Sequence, residues 1–394
     1  MIHKINNEYK KISISTYFLI LFIIMTEISN LKYGVFLSGV IAPIVVFILF
    51  LFIEKKSLRI SVDHGICLLF WISATISTLK SSIVVANREL LTFLMFCFFF
   101  IIATAIAYSK SEVKLIIKAY IALIVFCSIN ILINFVFDFQ YGWNRYSLYI
   151  FGVYRDPLYV ASFMLPAVSI IFYKILIFKS NNIKESFKWY VLMGIITSAC
   201  FVTGCRSIFL VMVFALLMVF LKYLVNKKVS IIKILLLSCI VIYLLFIIKD
   251  ILPESTAARL LDVNSYSEDI RLVMWKAGLD KFIEFPILGI GLNGINTYLL
   301  SIGYLNSHNV YLDILGGQGI VGISLFAIMI FRILMVSKSD RALIGVITFS
   351  FFIPLSFVNG FNTASFWAPL VICQILSNYS RKSNGLLIDT IKEL

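Results

Sequence analysis

The stretch SKSEVKLIIKAYIALIVFCSINILINFVF, residues 109–137, begins as a short basic loop and continues as an apolar run from 114 to 137. A run of this length matches the ~20 apolar residues that carry a helix across a bilayer. Loops and apolar runs alternate in this way along the whole chain, in which 61% of the residues are apolar and 14% are charged. Soluble domains carry about 25% charged residues, so the composition indicates a polytopic membrane protein.

The apolar runs predict the fold class. Twelve of them follow one another along residues 1–394, so we expect an all-α polytopic membrane protein with about 12 transmembrane helices in a single integral membrane domain. The first run follows three lysines, as in a signal peptide. No small-residue cleavage site comes after it, which favours an uncleaved first span. The runs are 13–29, 34–53, 65–79, 90–108, 114–137, 158–178, 189–204, 207–225, 231–249, 309–333, 342–358 and 363–379.

The net charge of +14 lies largely in the short loops between the apolar runs. In a soluble protein this charge would suggest nucleic acid as a partner, but here it indicates topology, and no nucleic acid is expected. Alternate loops, starting with the lysine-bearing N-terminus, are rich in Lys and Arg, so the positive-inside rule predicts that both termini are cytoplasmic. If one run were not a span, every later loop would change side and contradict that rule. The basic loops read EKKSLR, SKSEVK, KSNNIKESFK, NKK, SKSDR and SRKSN.

The cysteines and histidines do not form a metal-ligand or redox motif. The seven cysteines lie in or beside apolar runs and form no CxxC pair, so we interpret them as small apolar core residues. The chain contains no HExxH, Walker loop or apparent Ser-His-Asp arrangement, and neither a metal nor a cofactor is expected. The cysteines are Cys67, Cys97, Cys127, Cys200, Cys205, Cys239 and Cys373.

Two long polar segments, 138–157 and 250–307, fall on the predicted outer side. In the second, ESTAARLLD shows helical spacing, and SEDIRLVMWKAGLDKFIEF predicts an amphipathic helix that lies against the membrane or the bundle. SYSED provides N-capping side chains, and Pro286 ends this helix. Three glycines then predict a tight, irregular connection; their GxGxxG spacing lacks the βαβ context of a dinucleotide site. The predicted apolar side comprises Ile270, Val273, Met274, Ala277, Leu279 and Phe282.

Two outer arginines are candidates for binding an anion. Arg206, in TGCRS, lies at the N-terminal end of a predicted span, where a cation is locally unfavourable unless an anion is present. It is either an arginine that snorkels to the interface or part of a phosphate or diphosphate site. Arg271 follows Glu268 and Asp269, so it forms a surface salt bridge or acts as a second phosphate ligand.

His308 begins the tenth predicted span from the outer side, in the stretch NSHNVYLDILGGQG. It is either part of a polar helix cap with Ser307 and Asn309, or a neutral base that accepts the proton of a hydroxyl group. A helix N-terminus disfavours imidazolium, which keeps the base form available. Three glycines further along, at 316, 317 and 319, predict close packing or a kink in the same span.

The outer segment 138–157 provides further candidate substrate-binding residues. Arg145, Arg155 and Asp156 occur there among one tryptophan and several tyrosines. Aromatic side chains with a few charges suit the faces and hydroxyls of a carbohydrate. They equally suit the aromatic belt of a membrane interface, which we favour for most of the tyrosines.

Three motifs in this order resemble the O-antigen ligase/polymerase superfamily, which comprises Wzy-type polymerases and WaaL-type ligases. They are TGCRS, then IRLVMWKAGLDKFIEFPILGIGLN, then SHNVYLDILGGQGIVGISLF. The resemblance covers residues 190–330, and GVYRDPLYVASFMLPA is similar to a motif that precedes a span in this family. TGCRS has Cys205 where the family usually has serine, and Leu158 stands where the family often has asparagine.

The resemblance implies a metal-independent glycosyltransferase of the GT-C-like class in the bacterial inner membrane. Its donor would be an oligosaccharide linked to undecaprenyl diphosphate on the periplasmic side, with 250–307 as the large periplasmic loop. Arg206 and Arg271 match the family's diphosphate-binding arginines. His308 matches the histidine proposed to activate the acceptor hydroxyl, and Asn309 is a possible substrate contact beside it.

Three functions fit these features. A polymerase would transfer the growing chain to another lipid-linked repeat unit, working with a possible chain-length regulator protein. A ligase would transfer the glycan to lipid A-core or to a protein. A transporter for lipid-linked oligosaccharide usually needs polar groups near the bilayer midplane, whereas the charges here gather on the outer face. We expect the polymerase, because polymerases are the more numerous members of the superfamily.

Overall fold

The protein is mainly helical. The computed structural model describes residues 12–28, 35–81, 87–139, 146–150, 153–177, 183–204, 211, 214, 270–358, 360–383 and 387–394. Within these ranges, four helices are long and apolar enough to cross a membrane: Val62–Lys80, Lys110–Val136, Pro157–Ile175 and Val310–Leu334. The structure therefore agrees with an all-α membrane protein.

The described residues form thirteen α-helices and one small β-hairpin. Strands β1 (Tyr149–Ile150) and β2 (Val153–Tyr154) pair antiparallel between the fifth and sixth helices. A 3₁₀ turn, Ile353–Phe357, extends α11. The helices are α1 (Ile14–Ile28), α2 (Val35–Ile53), α3 (Val62–Lys80), α4 (Asn87–Ala105), α5 (Lys110–Val136), α6 (Pro157–Ile177), α7 (Ile183–Val202), α8 (Ile270–Glu284), α9 (Gly294–Ser301), α10 (Val310–Leu334), α11 (Arg341–Phe352), α12 (Ala364–Ser383) and α13 (Leu387–Lys392).

Ten of the twelve predicted spans coincide with helices, namely α1 to α7 and α10 to α12. The runs 65–79 and 189–204 are short as apolar segments, but their helices α3 and α7 extend over polar flanking residues to 19 and 20 residues. The predicted spans 207–225 and 231–249 and the helical spacing of ESTAARLLD lie outside the described residues, apart from positions 211 and 214 in the first of these spans. The count of twelve membrane crossings stays a prediction.

The start of α5 is defined by the sequence that opens it. Ser109 and Glu112 form a capping box, in which Glu112 N–H donates to Ser109 Oγ at 3.3 Å and Ser109 N–H donates to Glu112 Oε2 at 2.8 Å. The buried Glu112 carboxylate also accepts hydrogen bonds from Ser13 Oγ at 2.5 Å and from Lys56 Nζ at 3.2 Å. A single carboxylate thus joins the N-terminal end of α1, the loop after α2 and the start of α5.

Other basic loops gather at the same end of the bundle. Asp63, buried in the first turn of α3, pairs with Arg332 at the end of α10 and with Arg381 near the end of α12. Gln374 Nε2 donates to the same carboxylate at 3.1 Å. These contacts join the ends of three helices. Removing either arginine would leave the buried Asp63 charge less compensated, which is costly. Loops that the charge pattern predicted to share one side of the membrane are therefore neighbours in space.

An aromatic cluster holds the centre of the bundle together. Phe70 of α3 contacts Phe93 of α4 and Phe326 of α10 at ring-centroid distances of 5.5 and 5.9 Å. Trp367 of α12 packs against Phe93 and Phe100 and is fully buried. In a bilayer, helix association rests on close packing of this kind, because lipid tails are as apolar as the side chains.

The centre of α10 is broken at its glycine-rich turn. Gly319 has φ 64° and ψ −161°, which lies outside helical geometry. The segment 286–291 runs alongside this break and replaces the missing helical hydrogen bonds. Ile290 N–H and Gly291 N–H donate to the carbonyls of residues 316 and 317 at 2.9 Å, and Ile320 N–H donates to Pro286 O at 2.8 Å. The predicted kink and the predicted irregular connection are therefore one structure.

Hydroxyl groups of α3 complete this arrangement. Ser77 Oγ donates to Gly317 O at 2.6 Å and accepts from Gly291 N–H at 2.9 Å. Thr78 Oγ1 accepts from Leu292 N–H at 2.9 Å, and Ser81 Oγ donates to Ile290 O at 2.5 Å. Backbone groups that leave a helix inside a membrane protein need such internal partners. The hydroxyl groups of α3 therefore satisfy backbone hydrogen-bonding groups at the break in α10.

We predict that Gly319→Ala lowers the free energy of unfolding by at least about 2 kcal/mol. The φ and ψ of Gly319 lie in a region that is essentially restricted to glycine and costs other residues of order 1–3 kcal/mol, and the added Cβ would collide with the Ile287 carbonyl. Thermal unfolding of the detergent-solubilised protein measures this effect. The control is Gly194→Ala in α7, where an added Cβ meets nothing within 4 Å. Equal melting temperatures for the two variants would contradict the role assigned to the break.

Candidate active site

The loop before α10 places His308 in an unusual backbone conformation. His308 has φ 47°, in the left-handed region that non-glycine residues rarely adopt, and its side chain is half-buried. Its N–H donates to Asn306 Oδ1 at 3.2 Å. Such a conformation costs of order 1–3 kcal/mol and persists only where the surroundings enforce it, so it is a reason to look for function here.

Asn309 caps the helix that begins after His308. Its side-chain oxygen accepts hydrogen bonds from Tyr311 N–H at 3.0 Å and from Leu312 N–H at 3.2 Å. These are the donors that an N-cap residue satisfies at the start of a helix. The capping role that the sequence left open for this stretch thus belongs to Asn309. Its proposed substrate contact stays a prediction.

A buried polar network holds the loop on the other side of His308. Ser307 is fully buried; its Oγ donates to Asp313 Oδ1 at 2.5 Å, and its N–H donates to Asn296 Oδ1 at 2.8 Å. Trp275 Nε1 donates to the Ser307 carbonyl at 2.8 Å. The residue beside His308 is therefore tied to α8, α9 and α10 at once, which fixes the backbone from which the imidazole projects.

Arg271 lies on the face of α8 that meets this loop. It precedes Trp275 by one helical turn, and residues four apart share a helix face. Its side chain is half-buried, and α8 packs on α9 and α10. The structure therefore brings the helix face of Arg271 and the loop of His308 together.

The packed face of α8 differs from the predicted apolar side. Met274 and Gly278 are buried, and the backbone at Gly278 lies so close to α10 that an added Cβ would be 2.7 Å from Leu312 Cδ2. Ile270, Val273 and Leu279 were assigned to the same side; they do not pack on the bundle, and the predicted contact of this side with the membrane stays a prediction. Glycine allows the close approach, and hydrophobicity alone could not have indicated it. The predicted end of the helix before Pro286 is confirmed, and the predicted cap SYSED lies outside the described residues.

Two further candidates make structural contacts at this end of the bundle. Arg155 donates from Nη2 to the carbonyls of Thr26 at 3.1 Å and Glu27 at 3.2 Å, in the last turn of α1. Burial lowers the pKa of Arg155 and the nearby Glu27 raises it, but a guanidinium stays charged in proteins. Asp156 Oδ1 accepts from Leu158 N–H at 2.8 Å at the start of α6. Their predicted part in substrate binding is untested. Arg145 and Arg206 lie outside the described residues.

A cavity of ≈ 500 Å³, whose walls combine polar side chains with Leu292 and Phe361, adjoins the His308 loop. Its polar walls comprise the carboxylates of Glu89 and Asp313, the carboxamides of Asn293 and Asn362, and the hydroxyl of Thr92. Asp313 links the cavity to the loop, because it receives the Ser307 hydrogen bond and is only 1% exposed.

A second, larger cavity of ≈ 930 Å³ has apolar walls and a basic character. Lys80 and Lys281 line it together with Phe285, Pro286 and Tyr298. The Lys281 ammonium lies 5.0 Å from the Tyr298 ring centroid and pairs with Glu284 at 2.5 Å. A cavity that combines cations with apolar walls suits an amphiphile with an anionic group.

The residues that line these cavities are not among the candidates that the sequence motifs indicate. Asp313 had a detectable signal, since it is an acidic residue at the start of a membrane-spanning run. Glu89 lies in the first turn of α4, and Asn293 and Asn362 lie just before α9 and α12, so only the packing of these three helices brings them together. Within the described ranges, no group of three or more His, Cys, Asp or Glu residues could hold a metal ion.

One known protein family matches the part of the chain that contains the His308 loop. Residues 191–327 match the family model described as O-antigen ligase, which confirms the resemblance to the O-antigen ligase/polymerase superfamily. The matched segment contains His308, Asp313 and Arg271, and it leaves residues 1–190 and 328–394 outside the match. No curated protein matches the chain. The match and the apolar helices together support a membrane protein that is similar to O-antigen ligases over residues 191–327.

We predict that Trp275→Phe speeds amide hydrogen exchange in residues 304–309 by about fivefold. Phenylalanine keeps a smaller aromatic ring at this position but has no N–H, so the hydrogen bond to Ser307 O is lost, and such a bond contributes about 1 kcal/mol. Exchange measured by mass spectrometry on the detergent-solubilised protein checks this. Trp71→Phe in α3 is the matched control, because Trp71 Nε1 has no hydrogen-bond partner among the described residues. Equal exchange rates in the Trp275→Phe variant and the wild type would show that α8 does not hold the loop.

Proposed function

We propose that this protein is an inner-membrane glycosyltransferase that polymerises repeat units of O-antigen, or of a similar surface polysaccharide, on the periplasmic side. Its donor is an oligosaccharide linked to undecaprenyl diphosphate. The observation that carries the proposal is the strained, firmly held His308 inside the segment that matches the O-antigen ligase domain. Strain of this kind concentrates at active sites.

His308 acts as the general base in this proposal. It accepts the proton of an acceptor sugar hydroxyl while the hydroxyl oxygen forms a bond to the anomeric carbon of the donor. The bond between that carbon and the diphosphate oxygen breaks, and the lipid-linked diphosphate leaves. The N-terminus of α10 disfavours a second positive charge at this position, so the neutral imidazole is available to take the proton.

Arg206 and Arg271 bind the diphosphate and stabilise the negative charge that develops on it as it leaves. The position of Arg271 on the face of α8 toward the His308 loop supports its part in this scheme. The basic cavity with Lys80 and Lys281 offers additional positive charge and an apolar wall for the lipid. With these cations at the leaving group, no metal ion is needed in the proposed mechanism.

A ligase is the alternative, with the glycan transferred to lipid A-core or to a protein, since the donor chemistry is the same in both. A transporter fits less well. The polar groups near His308 lie in loops and helix ends, and the described apolar helices carry few charges in their middles.

The proposal predicts the glycan ladder of a strain deleted for this gene. Loss of a polymerase leaves core carrying a single repeat unit, whereas loss of a ligase leaves bare core while polymer remains on the lipid carrier.

Complementation of the deletion strain with His308→Asn should restore no polymer, because removal of a general base lowers rates by about 10²–10⁴-fold. Asparagine tolerates the left-handed backbone, so the loop is preserved. The His3→Asn variant is the control, and both proteins should accumulate equally in the membrane. Normal polymer from His308→Asn would exclude the base role.

The two arginines make a separate prediction. Arg206→Lys and Arg271→Lys keep the positive charge but lose the planar fork that contacts phosphate in a bidentate manner. We expect each to lower the rate of glycan transfer by at least about tenfold, measured with lipid-linked donor and purified protein. The control is Arg59→Lys, in the basic loop between α2 and α3, and this variant should retain the wild-type rate. Full activity in both arginine variants would rule out bidentate contact with the diphosphate.

A further inference from the structure

The cavity beside the His308 loop has the chemistry of a carbohydrate site. Carboxylates accept hydrogen bonds and carboxamides both donate and accept them, which matches the paired hydroxyl groups of a sugar. The cavity volume of ≈ 500 Å³ falls in the range of about 300–1,000 Å³ that is typical of small-molecule sites.

One wall atom lacks a hydrogen-bond donor. Asn362 Nδ2 donates to the Glu89 carbonyl at 2.9 Å, which fixes the orientation of the amide. Its Oδ1 is enclosed and accepts no hydrogen bond among the described residues. A buried acceptor of this kind usually has a partner, and a ligand hydroxyl would supply one.

The charge of the cavity excludes the donor's diphosphate. Its lining includes two carboxylates, Glu89 and Asp313, and no lysine or arginine among the described residues. Glu89 Oε1 accepts from Asn293 Nδ2 at 3.3 Å, and this partner is uncharged. An anion would be repelled here, while the separate cavity with Lys80 and Lys281 attracts one. A neutral, hydroxyl-rich group is the occupant that fits.

The cavity is joined to the proposed base through one side chain. Asp313 accepts from Ser307 Oγ through Oδ1 and from Gly360 N–H at 3.4 Å through Oδ2, so it touches both the His308 loop and the cavity wall. A sugar bound in the cavity would therefore lie next to the loop that carries the base. The geometry points to the cavity of Glu89, Asn293, Asp313 and Asn362 as the binding site for an uncharged sugar of the acceptor glycan. This inference rests on the proposed function.

A binding experiment tests the inference without transfer activity. The probe is the free oligosaccharide that mild acid releases from the lipid-linked glycan of the deletion strain. Its binding to the full-length protein in detergent is measured by saturation-transfer difference NMR. We expect Glu89→Gln, which conserves side-chain shape, and Asn362→Ala each to raise the Kd at least tenfold. The matched control Glu393→Gln, at the basic end of the bundle, should leave the Kd unchanged. Undecaprenyl diphosphate, the probe for the donor side, should bind all variants as it binds the wild type.

The outcomes separate this inference from the proposed function. If the oligosaccharide fails to bind the wild type, or binds Glu89→Gln as tightly as the wild type, the cavity is not an acceptor site. The deletion ladder and the His308→Asn variant still decide the proposed function in that case. Melting temperatures of the variants are measured in the same detergent, and if Asn362→Ala is unfolded, the shape-conserving Glu89→Gln variant decides the result.

Discussion

The structure depends on how the broken backbone of α10 obtains its hydrogen bonds. A helix that breaks within a membrane protein exposes N–H and C=O groups that no water satisfies. Here the segment 286–291 forms hydrogen bonds with residues 316–320 on both sides of the break. Ser77 is hydrogen-bonded to both segments. Glycine is required at 319, where φ is positive and a side chain would meet the Ile287 carbonyl. The break therefore depends on residues of α3, of the segment 286–291 and of α10 at the same time.

This junction also determines where the site forms. Because 286–291 is anchored to α3 and α10, the chain that leaves it enters α9 through Asn293, which itself has a positive φ. The helix α9 then presents Asn296 to Ser307, and the return to α10 places His308 beside that bond. The strain at His308 is sustained by the same rigid surroundings, since hydrogen bonds from three helices converge on the neighbouring residue. The break in α10 and the His308 loop are therefore parts of one packed region.

Charge is arranged in three places with different consequences. At the basic end, Glu112 and Asp63 neutralise cations from several loops and lock helix ends together. The cations Lys80 and Lys281 line one cavity, and the carboxylates Glu89 and Asp313 line another. In the proposed function, the first cavity receives the anionic lipid-linked donor and the second receives an uncharged sugar. The net charge of +14 alone conceals this division.

The sequence by itself indicated ten of the described helices, the end at which the basic loops gather, close packing or a kink at 316–319, and His308 as a candidate base. These features follow from local patterns: the length of an apolar run, the Ser-Glu spacing of a capping box, and glycine or histidine at a fixed place in a motif. Only the tertiary structure decided the packed face of α8, the structural contacts of Arg155 and the cavity of Glu89, Asn293, Asp313 and Asn362. Those features depend on contacts between residues that are distant in the chain, and hydrophobic periodicity contains no information about which helices become neighbours.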